Sequence, residues 1–461
     1  MIHKFKKNGV NMALDVHSGA VHVIDDLVYN LLERGSLDEE KRFYVPVGNS
    51  KQLNTDFGQQ AVKEALDEIN QLIEHKLLYT DPDPTDEMKS QQPSVIKALC
   101  LHVAHDCNMS CEYCFASEGT FKGQRSLMNK ETAFAALDFL IQHSGNRNHL
   151  EVDFFGGEPL LNFNLVKETV TYGRKREQET GKTFRFTLTT NGLGLNQENM
   201  AYINEHMSNV VLSIDGRPET NDHMRHCHNG DGTYELILPK IKAMAELRGD
   251  KPHFVRGTFT RKNLDFSKDV AHLAEAGFRE ISVEPVVAPS DSPLALREED
   301  CQRIKDEYDA LAAYYLDKRL LGDPFRFFHF MIDLQQGPCM KKRASGCGAG
   351  TEYVAVTPEG ELYPCHQFVG NPQFLLGHVN TGLTKADVKE QFQHATIYDK
   401  DDCRECWAMY YCSGGCHANA WHTNGSIQQP YKIGCELERA RIETALMLMA
   451  KESEENCDDQ S

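Results

Sequence analysis

The chain has 461 residues, 40% of them hydrophobic, which suits two or three folded domains and argues against a disordered or fibrous protein. Its formal charge of −19 excludes nucleic acid as the main partner, because phosphate binding needs clustered Lys and Arg. The opening MIHKFKKNGV lacks the apolar core of a signal peptide and no apolar run reaches membrane-spanning length, so a cytoplasmic chain with no membrane partner is expected.

Residues 1–80 read as a small α/β unit. IHKFKKNG, VNMALDV and AVHVID have the look of three short strands, with turn signals at Asn8-Gly9 and Ser18-Gly19. Asp25 or Asp26 is placed to cap a helix beginning near Leu27. Val62, Leu66, Ile69, Ile73 and Leu77 recur at helical spacing. Residues 81–94, DPDPTDEMKSQQPS, carry prolines and almost no large apolar side chain, and so read as a linker.

Over residues 95–288 six apolar runs, KALCLHVA, HLEVDFFG, TFRFTLTTNG, NVVLSIDG, HFVRGTFT and EISVEPVV, alternate with stretches long enough for helices. That rhythm predicts a parallel sheet of the α/β class, a partial (β/α)6 barrel with its chemistry at the strands' C-terminal ends. Residues 289–336 have a helical pattern, and residues 337–461 are rich in Cys, Gly and aromatic residues.

Fifteen cysteines are the strongest compositional signal, and in a reducing compartment they point to metal ligation over disulfides. Three form Cys107-x3-Cys111-x2-Cys114 just after the first barrel strand. Three thiolates on one tight loop can hold three irons of a [4Fe–4S] cube and leave the fourth iron open to a small chelating molecule. Tyr113 precedes the last of them. Gly156-Gly157-Glu158-Pro159 ends the second strand, where glycines allow close backbone approach and a carboxylate can accept bonds from an ammonium. Thr189, Thr190 and Asn191, then Ser213 and Asp215, stand at later strand ends with donors and acceptors suited to ribose hydroxyls and a carboxylate, and Arg225 could pair with that carboxylate.

These motifs resemble the radical S-adenosylmethionine superfamily, which implies that the cosubstrate's methionine amine and carboxylate occupy the open iron. A third constellation is Cys347-x12-Gly360-x4-Cys365, Cys403-x2-Cys406-x5-Cys412-x3-Cys416 and Cys435. It resembles the SPASM extension of peptide-modifying radical enzymes, implying three [4Fe–4S] clusters in all. By that resemblance Cys403, Cys406, Cys412 and Cys435 ligate an outer auxiliary cluster, and Cys347, Cys365 and Cys416 an inner one. Either Cys339 supplies the eighth thiolate or the inner cluster keeps an open iron for a substrate thiol. Structural zinc is the alternative use of such cysteines. Cys100, Cys227, Cys301 and Cys457 are read as bystanders.

The N-terminal unit resembles the winged-helix-like RiPP recognition element, which implies capture of a precursor peptide's leader by strand addition. Taken whole, the chain is similar to maturases of SCIFF peptides. This resemblance implies a thioether cross-link between a Cys sulfur and a carbon of another residue, typically Thr, with a flavodoxin or ferredoxin as electron donor. Anaerobic sulfatase maturases place an aspartate after the cysteine equivalent to Cys365, and here that position is His366. Formylglycine formation is therefore the second reading and a non-catalytic iron–sulfur carrier the third.

Overall fold

The computed structural model describes residues 1–90, 94–332 and 340–458. At the N-terminus, β1 (Ile2–Lys7), β2 (Val10–Asp15) and β3 (Val21–Ile24) form an antiparallel sheet in the order β1-β2-β3. Helix α1 (Asp26–Arg34) follows, capped by the Asp25 carboxylate on the Val28 N–H. A two-stranded ribbon of β4 (Ser36–Leu37) and β5 (Phe43–Tyr44) and helices α2 (Val47–Phe57) and α3 (Gln59–Glu74) complete the unit. Helix α3 buries Val62, Ala65 and Ile69 at helical spacing. The ribbon and α2 were not foreseen, and the stretch expected to be a plain linker contains the short helix α4 (Asp86–Ser90).

Strand β2 explains how this unit is held. Ala13 faces a small core with Leu31, Phe43, Leu53 and Ile69, whereas Met12 and Leu14 point the other way, into the core shared with the large sheet. His3 stacks on Trp407 with ring centroids 3.7 Å apart and bonds Glu443 at 2.9 Å. The N-terminal sheet is thus packed onto the body of the protein.

The large sheet begins at β6 (Ala98–His105), followed by the short β7 (Met109–Cys111) and β8 (Ser126–Leu127). Its parallel strands continue with β9 (His149–Gly156), β10 (Thr183–Thr190), β11 (Asn209–Ser213), then, after the short β12 (Arg225–Cys227), β13 (His253–Phe259) and β14 (Glu280–Pro285). The expected six strands lie side by side in the order β6-β9-β10-β11-β13-β14, all parallel. Two additions extend them. Residues 289–336 hold the expected helix, Cys301–Leu320, but then return to the sheet as β15 (Arg326–Phe327), parallel to β14. On the other edge β16 (Tyr353–Val356) pairs parallel with β6, and β17 (Glu361–Tyr363), β18 (Gly377–His378) and β19 (Gly382–Leu383) continue antiparallel. The cysteine-rich C-terminal region is therefore joined to the barrel by sheet hydrogen bonds and closed by the long helix Lys432–Asp458. Among the described residues no helix is long and apolar enough to cross a membrane.

Candidate active site at the strand ends

Strict alternation along β9 sends Leu150, Val152 and Phe154 to the outer core and leaves Glu151, Asp153 and Phe155 on the other face. The strand then ends against the loop before the cysteines. Gly157 N–H donates to the Ala104 carbonyl at 2.8 Å and Glu158 N–H to the Asp106 carbonyl at 2.9 Å. Glycine is required at both motif positions. A Cβ on Gly156 (φ 120°) would come within 2.3 Å of the Ala104 oxygen, and one on Gly157 within 2.1 Å of the Asp106 oxygen. On its far side the cysteine loop is held by β7 pairing with β12, which sets Arg225 opposite Cys111.

A cavity of about 160 Å³ opens where these pieces meet. Cys107, Cys111 and Cys114 line it together with Tyr113, Gly156, Gly157, Glu158, Pro159, Thr189, Thr190, Asn191, Ser213 and Arg225. Of the cysteine-loop and strand-end residues that the sequence pointed to, all but one share this hollow. The exception is Asp215, expected at a ribose hydroxyl. It does not line the cavity: its carboxylate accepts from the Tyr113 hydroxyl at 2.8 and 2.9 Å and from the Thr258 N–H at 3.1 Å. Arg225 donates to the same hydroxyl at 2.8 Å, so Asp215 and Arg225 clamp Tyr113 behind the cysteine loop. Burial raises the Asp215 carboxyl to about 6, against the pull of Arg225. Arg225 Nε has no protein partner, which leaves a donor for a ligand.

Glu158 is more than an isolated acceptor. It takes bonds from Leu160 N–H (3.0 Å), Thr190 Oγ1 (2.8 Å) and Asn191 N–H (2.8 Å), tying β9's end to β10's. A carboxylate has about four lone-pair positions, so one remains for an incoming ammonium. Asn191 donates from Nδ2 to Asn108 at 2.8 Å and to Cys107 Sγ at 3.7 Å. Burial lifts the Cys107 thiol to about 12 and the Cys111 thiol to about 11. Cys107 and Cys111 in the metal-free loop are therefore protonated thiols, which release protons on metal binding.

Among the described residues no three His, Cys, Asp or Glu side chains converge tightly enough for a single metal ion. The C-terminal cysteines instead ring a space. Cys403, Cys406, Cys412 and Cys435 line one cavity of about 500 Å³, and Arg439 reaches Cys406 Sγ at 3.9 Å. Cys301, read as a bystander, is in the same wall. Cys365 is half-buried, within electrostatic reach of Cys416 and Cys347. Cys339 lies outside the described residues. The donor sets suit iron–sulfur cubes, whose thiolates stand apart on separate irons.

A family model for a 4Fe-4S single cluster domain matches residues 97–236. The chain is 21% identical over 458 residues to the radical SAM cyclopropyl synthase TigE of Paramaledivibacter caminithermalis, covering 94% of this chain and 92% of that one. It is 22% identical over 340 residues to a cysteine-type anaerobic sulfatase-maturating enzyme of Clostridium novyi, covering 70% and 88%. The sequence is thus similar to radical SAM and sulfatase-maturating enzymes. Solved structures share the fold: native anSMEcpe with bound AdoMet (TM-score 0.63, 20% identity, 77% of this chain and 98% of that one) and Streptococcus suis SuiB bound to precursor peptide SuiA (TM-score 0.54, 14% identity, 94% and 98%).

A set of polar residues lies behind the Phe115–Phe155 wall of the cavity, and apart from His366 the motifs did not flag them. Both rings contact His366, which shares a hydrogen bond with the Tyr353 hydroxyl at 3.3 Å. Arg256 and Glu284, from β13 and β14, form an ion pair within reach of His366. Asp153 on β9 faces Arg256, Cys100 and Tyr353, and its carboxylate accepts from the Thr189 hydroxyl at 3.4 Å. Period two along VDFF was the available signal, since it turns Asp153 away from the outer core. Burial presses His366 down to about 4, so it is neutral at pH 7, and raises the Asp153 carboxyl to about 7, partly offset by Arg256.

Asp153 gives a stability test. Unfolded, an aspartate ionises near about 3.9. Between that value and about 7 the folded chain keeps a proton that the unfolded chain has lost, so stability falls as pH rises through the window. The Asp153→Asn variant should melt above wild type at pH about 8, and the gap should close toward pH about 4. Melting curves at both pH values check it, and an equal gap at both would refute it.

Proposed function

We propose that this protein is a radical S-adenosylmethionine peptide maturase that installs a thioether between a Cys sulfur and a carbon of an acceptor residue, Thr by family resemblance, in a ribosomally made Cys-rich peptide. The observation that carries the radical reading is the convergence of three thiols, the Gly156–Pro159 turn and the β10 and β11 ends on one cavity. With a [4Fe–4S] cluster on Cys107, Cys111 and Cys114 and S-adenosylmethionine on its open iron, the site would supply a carbon radical that abstracts hydrogen. The free lone pair of Glu158 suits the methionine ammonium, and the unpaired Arg225 Nε suits its carboxylate. Asn191 and Ser213 fit the ribose, and Asp215 fixes Tyr113 instead of touching the cosubstrate.

In this reading, auxiliary clusters sit on Cys403/Cys406/Cys412/Cys435 and on Cys347/Cys365/Cys416. The face of β16, His366 and Asp153 borders the reacting residue, and neutral His366 or the Asp153 carboxylate takes up the proton released there. The precursor peptide binds along the N-terminal sheet, in line with SuiB being a relative that binds precursor peptide SuiA. A flavodoxin or ferredoxin is the proposed electron donor.

Formylglycine formation remains the second reading, because Asp153 offers a carboxylate base although His366 replaces the expected aspartate. Mass spectrometry of a Cys-rich precursor peptide after anaerobic turnover separates the two. A thioether removes two hydrogens, retains the sulfur and blocks that cysteine from alkylation. Conversion of cysteine with loss of sulfur would overturn the thioether reading.

A further inference from the structure

Lys400 is a cation buried in the C-terminal region. Its side chain is 2% exposed, among the largest fully buried side chains of the protein. The backbone holds it firmly: its carbonyl accepts from the Cys403 N–H at 2.9 Å and the Arg404 N–H at 3.2 Å, at the start of the turn that carries Cys403. The ammonium donates to the Gly414 carbonyl at 2.8 Å. Gly414 belongs to the Ser413-Gly414-Gly415 bend between Cys412 and Cys416, and it lines the cavity ringed by Cys403, Cys406, Cys412 and Cys435. Nζ thus stands one carbonyl behind that wall.

Among the described residues no carboxylate forms an ion pair with Lys400. Asp399 is spent on the Thr396 N–H and hydroxyl, and Asp401 and Asp402 are exposed. Burial pushes the Lys400 ammonium down, and the groups that oppose this are the thiols of Cys403, Cys412, Cys435 and Cys416. Arg439, the cation at the outer face of the same cavity, differs in being partly exposed and paired with Glu436. A buried ammonium without a counter-ion costs several kcal/mol, so a chain that retains one has an anion to set beside it. Among the described residues the candidates within reach are the cysteine sulfurs.

We propose that Lys400 is a countercharge shared by the two C-terminal cysteine sets and raises the reduction potentials of the clusters they hold. This rests on the reading of those cysteines as two cluster sites. A cube held by thiolates is anionic and gains one more negative charge on reduction, so a fixed cation in a low-dielectric interior favours the reduced form. Cys416 belongs to the inner set and Cys403, Cys412 and Cys435 to the outer, so one ammonium acts on both. The consequence is an auxiliary pair tuned to accept the electron left over when a substrate radical is oxidised.

The test uses the full chain after anaerobic reconstitution, with iron analysis followed by potentiometric titration read by electron paramagnetic resonance. In Lys400→Met and Lys400→Gln the reduced-to-oxidised ratio of the auxiliary clusters at a fixed potential should fall about tenfold, a shift of about 59 mV for one electron. Lys400→Arg should stay close to wild type. The cluster on Cys107, Cys111 and Cys114 is the internal control and should not move. Neutral variants that lose iron while Lys400→Arg keeps it also support the countercharge. Unchanged auxiliary potentials with full iron overturn it. Equal iron loss in all three variants overturns it too, since shape and not charge would then be at stake. If the wild type binds only about four irons, the two-cluster reading fails and takes this proposal with it, an outcome visible before any variant is titrated.

Discussion

Changing Cys107, Cys111 and Cys114 together to alanine should lower the iron content from about twelve to about eight per chain and abolish S-adenosylmethionine cleavage. The three thiols line a cavity separate from the one ringed by Cys403, Cys406, Cys412 and Cys435, so the loss should be confined to one cluster. The loop itself should survive. Its position depends on β7 pairing with β12, on the Asp215–Tyr113–Arg225 clamp and on backbone bonds from the Gly157 turn, none of which uses a sulfur. Alanine is close in size to cysteine, and the Cys107 and Cys111 thiols are protonated in the metal-free chain, so their removal strands no buried charge. Iron analysis and chromatographic assay of 5′-deoxyadenosine read the two effects separately. A variant that still cleaves the cosubstrate would show that the open-iron site is elsewhere. Wild type holding only about four irons would instead remove the auxiliary clusters from the account.

The central sheet and its motif-bearing ends were legible because both rest on local rules. Period two along β9 and β10 marks their two faces, and glycines at Gly156 and Gly157 stand where a side chain would strike the neighbouring strand. What escaped depends on partners distant in sequence. Strand β15 has two residues and no pattern to display, and although EYVAVTPEGELYPC reads as strand–turn–strand, nothing local tells that β16 pairs with β6 some 250 residues earlier. Helix α2 buries only Leu53, too little for periodicity to register. In β2 the run Met12-Ala13-Leu14 is apolar on both faces, and only the fold tells that one side serves the small core and the other the large one. Asp215 was assigned from its strand-end position, but the hydroxyl that claims it comes from Tyr113, 102 residues away. Cys301 and Lys400 were invisible for the same reason, since neither belongs to a motif and both acquire meaning from a cavity built by other segments.

The double variant Val21→Pro/Val23→Pro should leave S-adenosylmethionine cleavage near the wild-type rate and reduce affinity for the precursor peptide about a hundredfold. The argument starts from hydrogen-bond parity. Asp15 N–H donates to the Ala20 carbonyl at 2.9 Å, which makes Asp15 and Ala20 a bonded pair. In an antiparallel ladder bonded and non-bonded pairs alternate, so Ala13–His22 and Asn11–Ile24 are bonded while Leu14–Val21 and Met12–Val23 are not. The N–H and C=O groups of Val21 and Val23 therefore point away from β2. On that side no strand pairs with β3 among the described residues, and the Val23 side chain is 50% exposed. An extended peptide laid along this edge would bond to those two residues. Proline removes their N–H groups without breaking a bond to β2, and edge strands tolerate it. Truncation of residues 1–80 would not isolate the same effect, because it would also strip Met12 and Leu14 from the shared core and His3 from Trp407. Peptide binding by fluorescence anisotropy, set beside 5′-deoxyadenosine formation without peptide, measures both sides. Unchanged affinity in a variant whose melting temperature matches wild type would rule out strand addition at β3. Parallel loss of binding and cosubstrate cleavage would point to damage transmitted through the shared core.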